Sequence, residues 1–235
     1  MPIIPDSPSV GPYMNAVATV TELVFKLAGF YGDGNHVSGQ GQISLIEQIT
    51  SEMDKLLTNK LYDVFYTQYK GTLEGLNIRY KEYKGTPEEK EWLNNIIEDS
   101  ADLLGLVKQQ FETELQNNHE HTLITMGLYA DVCLFRATAM SMRKINYQMN
   151  RDEDIKAMLQ ECKEKQDTVI AKIKQIYDEK NTEAENCKDP EPRAGTIYLP
   201  VCWLLKDNVN VLSYIVQDAK KQRTSIETAI SAIPQ

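Results

Sequence analysis

From Thr122 to Met142 the chain carries apolar or small side chains nearly all the way round a helical wheel, with Asp131 and Arg136 as its only charges. A helix without a polar face cannot lie on a protein surface, so this segment requires other helices packed around it. The two charges also interrupt the roughly 20 consecutive apolar residues that a spanning helix needs, which predicts a core helix in a soluble protein.

The rest of the chain offers helices suited to that task. Apolar residues recur at intervals of three and four over 13–30 (Val17, Val20, Leu23, Val24, Leu27, Phe30) and over 42–70 (Ile43, Ile46, Ile49, Met53, Leu56, Leu57, Leu61, Val64, Phe65), with a break near Thr58-Asn59 and a further helical segment over 72–84. Gly85-Thr86-Pro87 reads as a helix stop followed by a start, with Thr86 as N-cap, Pro87 in the first position and Glu89 completing a capping box. The helix predicted over 87–117 has one apolar stripe of Trp92, Ile96, Ile97, Leu103, Leu104, Val107, Phe111 and Leu115. Asn117 to Glu120 form a turn, and amphipathic helices follow over 152–186 and 201–232. The prolines of 1–12 predict an extended arm, Gly32 to Gly41 a loop, and Pro190, Pro192, Gly195 and Pro200 a loop over 186–200. The expectation is an all-α fold: one domain over 13–235, a bundle of about six to seven amphipathic helices around the central apolar one.

Chemistry is sparse. With 25 basic against 34 acidic residues, a net charge of −9 and a pI near 5.0, the chain is a poor partner for nucleic acid. His119 and His121 form a lone H-x-H in a turn, an inadequate metal site, and no nucleophile elbow, phosphate loop or dinucleotide fingerprint occurs. No enzyme, metal or cofactor is expected. The start of the chain lacks the basic and apolar regions of a secretion signal, so synthesis is expected in the cytoplasm without a membrane anchor. Cys133, Cys162, Cys187 and Cys202 are too widely spaced for a disulfide scaffold and read as buried thiols, although Cys187 and Cys202 flank the Pro-rich loop and could close it in an oxidising compartment.

A second use of the central segment follows from its partner. Joined by a short turn, helix 87–117 and helix 122–142 would form a hairpin with one amphipathic and one greasy member, which satisfies its backbone internally and is able to enter a lipid bilayer.

Several short motifs point the same way. Leu45-Ile46-Glu47-Gln48-Ile49, the L-x-G-L-x-x-x-Y-x-x-Y pattern of Leu73, Gly75, Leu76, Tyr80 and Tyr83, and Leu134-Phe135-Arg136-Ala137 within the apolar segment resemble, in this order, motifs of the N-terminal helical domain of the three-domain insecticidal δ-endotoxins, the crystal toxins. The resemblance spans about residues 17–180. It implies a bundle of about seven helices around a central fifth one, whose fourth and fifth helices insert into membranes as a pore-forming hairpin. On that basis Leu123, Ile124, Leu128, Val132, Leu134, Phe135 and Arg136 would belong to the central inserting helix, and Trp92, Ile96, Leu103, Leu104, Val107 and Phe111 to its amphipathic partner. Arg136 matches the family arginine and is expected to find an acidic partner on a neighbouring helix. Tyr129, Asp131 and Ala137 depart from the family pattern. Because the family adds two β-rich domains that recognise receptors, the resemblance implies membrane lipid as a partner and leaves targeting to another protein, to self-association or to further domains of a longer chain. The alternative is a non-enzymatic interaction protein that keeps the bundle without the pore.

Overall fold

A computed structural model of the chain describes residues 63–84, 86–117, 121–188 and 201–233, together with helical positions between Asn15 and Gly29. The expected arm over 1–12, the glycine loop over 32–41, the helix over 42–62 and nearly all of the loop over 186–200 lie outside the described residues. Five long helices are described: α1 (Asp63–Glu82), α2 (Lys90–Gln116), α3 (Thr122–Tyr147), α4 (Asp152–Asn186) and α5 (Val201–Ser231). No strand occurs among the described residues, so the fold class is all-α.

Helix ends are set by local chemistry. Pro87–Glu89 form a 3-10 turn leading into α2, and the Glu89 carboxylate accepts the backbone N–H groups of Lys84 (2.8 Å) and Thr86 (3.2 Å), closing the break between α1 and α2. At α3 the chain stops on Gln148, which has φ 57°. Left-handed backbone costs a residue with a side chain about 1–2 kcal/mol, and here it turns the chain within four residues into α4. There the Asn150 side chain accepts the N–H of Asp152 at 2.9 Å, and Asp152, Glu153 and Asp154 place negative charge at the positive end of the helix.

Each helix buries one stripe, and α3 is enclosed on all sides. Residues from Thr122 to Met142 are buried with the single exception of Arg136, which is half-buried. Helix α2 lies antiparallel along α3, α4 packs on α3 and most extensively on α5, and α1 packs on α2. Val17, Val24 and Ala28 of the N-terminal segment join the same apolar core, and Thr21 there accepts a 2.7 Å hydrogen bond from Gln222 of α5. Lys163–Glu227 (3.1 Å) and Arg223–Asp167 (3.0 Å) fix the antiparallel register of α4 on α5, and a Cys187–Cys202 disulfide joins their other ends. Thus two of the four cysteines are a bridge, while Cys133 and Cys162 are buried thiols.

The structure corrects three expectations. Helix α1 runs unbroken from Asp63 to Glu82, because Gly71 sits on its exposed side with nothing packed within 4 Å of where a Cβ would stand, and there costs only helix propensity, about 1 kcal/mol. Trp92 does not belong to the buried stripe of α2; it is 39% exposed and Leu93 takes its place. Its indole N–H donates to the Arg79 carbonyl at 2.9 Å, so the ring lies over the end of α1, where a polar tip can be satisfied. Leu104 and Leu115 are half-buried at the edge of the stripe. Among the described residues no acid forms an ion pair with Arg136, and Asp154 of α4 acts on it only at longer range. The Arg136 guanidinium donates to the Ile97 carbonyl and to Ser100 Oγ (3.1 Å), both on α2.

Candidate functional site

The predicted hairpin exists as a unit of packing. Ile96, Ile97, Leu103, Val107 and Phe111 of α2 are buried against α3, and the Phe111 ring stacks on Tyr129 with centroids 5.9 Å apart. Polar groups pin the register at both ends and the middle. Near the turn, Thr125 Oγ1 donates to Glu114 Oε2 at 2.7 Å while Gln110 donates to Oε1 at 2.8 Å. Arg136 reaches α2 midway, and Arg143 donates to Asn94 Oδ1 at 3.1 Å towards the far end. Glu114 is buried, so its acceptors need these donors. Changing Thr125 to valine keeps the shape and removes one donor, and a loss of about 1–2 kcal/mol is expected. Chemical denaturation compared with wild type measures it, and an unchanged stability would mean that Glu114 is satisfied without Thr125.

Leu123, Ile124, Leu128, Val132, Leu134 and Phe135 are all buried on α3. At about 1.5 Å per residue α3 extends roughly 39 Å, beyond the ~30 Å hydrocarbon core of a bilayer. Among the described helices it is the one long and apolar enough to cross a membrane.

Its charge pattern is unusual for a core helix. Asp131 is completely buried, and neither carboxylate oxygen has a hydrogen-bond partner among the described residues. Burial pushes this carboxyl well above the usual carboxylate range, a shift in favour of the neutral acid. Close by, the Cys162 thiol of α4 contacts Cys133 of α3, and burial, the Cys133 contact and the nearby Asp131 all push its ionisation up. Both thiols are inert while α3 and α4 stay together.

Over the outside, α2 is clasped to α4 by charges. Lys108–Glu161 (2.6 Å) and Lys165–Glu112 (2.5 Å) cross from helix to helix, and Lys172 Nζ donates to the Leu115 carbonyl at 3.1 Å. The charged side chains are partly exposed, so each pair contributes at most about 1 kcal/mol and yields to salt. The disulfide joins α4 to α5 and leaves the α2–α3 hairpin tied to the rest by non-covalent packing and by its two chain connections, to α1 through residues 83–86 and to α4 through Gln148–Arg151.

No cluster of three or more metal-ligating side chains occurs among the described residues. His121 is buried at the start of α3, where its carbonyl accepts the N–H groups of Ile124 and Thr125, both at 3.0 Å. Compared with known proteins, the chain matches no family model, no curated protein and no solved structure.

The site residues named from sequence thus fall on one hairpin, apart from the outward displacement of Trp92. Glu114 was missed although the signal was present, since it lies three residues after Phe111 and seven after Val107, on the same face.

Proposed function

We propose that this protein is a membrane-active, pore-forming bundle of the δ-endotoxin kind, in which the α2–α3 hairpin leaves α4 and α5 and enters a lipid bilayer. The observation that carries this reading is the partition of the bundle. A greasy helix of membrane-spanning length is paired with an amphipathic one, and the only disulfide among the described residues lies wholly within the other helix pair. In the inserted state α3 would show its apolar side chains to lipid, and the polar face of α2 would line the pore. The resemblance of short sequence motifs to those of the crystal toxins supports the same assignment of helices. No catalytic residue or cofactor enters this reading.

A second reading, a non-enzymatic interaction bundle that has kept the fold alone, is favoured by Asp131 and Arg136. Each costs about 2.5–3.5 kcal/mol near the bilayer centre unless paired or facing water.

Release of a trapped dye from phosphatidylcholine–phosphatidylglycerol vesicles separates the two. Leu128→Asp is unsuitable as an insertion-defective control, because Leu128 is fully buried and an aspartate there would unfold the bundle itself. A Lys108→Cys/Glu161→Cys protein joined by a short bis-maleimide ties α2 to α4 and leaves the core intact. The same variant capped with a mono-maleimide is the control. Release is expected from the capped protein and to fall at least about tenfold when the link is closed, with alkylation of Cys133 and Cys162 rising on vesicles only in the unlinked form. Equal release from linked and capped protein, or none from either, would eliminate hairpin insertion and leave the interaction bundle.

A further inference from the structure

Two thiols meet where α4 lies on α3. Helix α4 returns antiparallel along α3 after the turn at 148–151, and the Lys144–Asp152 ion pair sets its register. Counted from that pair, Cys133 lies eleven residues back along α3 and Cys162 ten residues on along α4. At about 1.5 Å per residue the two are level to within roughly one residue. Both are completely buried, and the Cys162 thiol contacts Cys133. Ala130 and Ala137, three residues before Cys133 and four after it, share its face of α3, and their short side chains let α4 come close. The Cα atoms of a disulfide usually stand about 4.4–6.8 Å apart, and facing residues on helices whose axes are about 8–10 Å apart come within that range.

A pair of touching thiols has a particular meaning in this chain, because it already carries one disulfide, Cys187–Cys202, whose formation requires an oxidant. Burial and the Cys133 contact push the ionisation of Cys162 up, so its thiol is a poor nucleophile while the bundle is closed. Pairing therefore belongs to a state in which α3 and α4 have not yet met, and the packing of the two helices then brings the second sulfur to the first. A small-molecule disulfide such as oxidised glutathione is the electron acceptor. One protein thiolate attacks a sulfur of that disulfide and expels a small thiolate, and the other attacks the protein sulfur of the mixed disulfide and expels the second. Two S–H bonds of the protein are exchanged for one S–S bond, and the small disulfide leaves as two thiols that take up the protons.

We propose that Cys133 and Cys162 are a second disulfide-forming pair, a core staple that is set when the chain folds in an oxidising medium and is absent when it folds in a reducing one. Closed, it ties α3 covalently to α4 across a span of 29 residues. Enclosed between the two helices, it is shielded from attack by outside thiols. Where the hairpin inserts into membranes, the staple holds α3 in the bundle, and that consequence alone rests on the function proposed above.

The test refolds the reduced full chain in mixtures of oxidised and reduced glutathione, alkylates it without further reduction and digests it with trypsin. Peptides 109–136 and 157–163 are expected to be joined by a disulfide at the ratios that also close Cys187–Cys202. In a Cys187→Ser/Cys202→Ser protein, where no other pairing exists, the oxidised form is expected to melt about 7–14 °C above the reduced one, the effect of closing such a span in a chain of this size. Cys133 and Cys162 both alkylated at every ratio that closes Cys187–Cys202, or joined to those cysteines instead of to each other, would overturn the proposal. So would an oxidised double-serine protein that melts no higher than the reduced one, the behaviour of a bridge that the packed helices do not accommodate. Neither readout involves a membrane, so a failure of the staple and a failure of hairpin insertion in the vesicle assay are separate results.

Discussion

Asp131→Asn is expected to stabilise the bundle by about 2–4 kcal/mol at neutral pH, since it removes the cost of a buried carboxyl and leaves the shape of the side chain unchanged. The sign of the pH dependence follows from the direction of the shift. Burial raises the carboxyl in the folded protein above its unfolded value near ~4, so between those values the folded chain holds a proton that the unfolded chain has released. Wild-type stability therefore has its full Asp131 contribution below the unfolded value and loses it as pH rises towards the raised folded one, by up to about 1.4 kcal/mol per pH unit. Asparagine does not titrate. The two proteins should converge at acid pH and separate steadily above about pH 4. Urea denaturation of both at a series of pH values measures the gap, and parallel profiles would show that Asp131 has the same proton affinity folded and unfolded.

The same residue shows where the sequence was informative and where it was not. Helix α4 is read from its apolar spacing with the bounds the structure gives, and α3 is identified as central because no arc of its surface could face water. Both conclusions depend on periodicity, which is a property of one helix at a time. Asp131 could be seen to interrupt the apolar run, but whether a partner lay beside it depended on which residues of other helices sit at its level, and register between helices leaves no mark on a single helical wheel. Arg136 illustrates the same limit. Its need for a partner follows from its position in a core helix, whereas a backbone carbonyl and a serine hydroxyl are acceptors that no charge pattern would select. For Trp92 the stripe continued equally well through Trp92 or Leu93, one turn before Ile96 and Ile97, and only the docking of the end of α1 decides which of them turns outward. The interruption expected before residue 72 failed for a simpler reason, because a glycine on the exposed side of a helix weakens it by less than its packing restores.

Loss of the Cys187–Cys202 bridge is expected to have a comparably large effect, confined to one half of the molecule. The bridge closes a span of 15 residues, for which loop entropy in the unfolded chain corresponds to about 3 kcal/mol. In a chain of this size a Cys187→Ser/Cys202→Ser protein should melt about 6–12 °C below wild type. Hydrogen exchange should rise first at the C-terminal end of α4 and the N-terminal end of α5, where the bridge is the covalent tie, and last in α3, which remains enclosed by α2 and α4. If the hairpin acts as proposed, the consequence for membranes is opposite to that for stability. The bridge keeps α4 and α5 together as the half that stays behind, so its removal weakens the surface from which α3 must detach and should raise the initial rate of dye release while lowering Tm. A bridge-free protein that melts lower but releases dye more slowly would place the detaching element in α4 and α5 instead of α2 and α3.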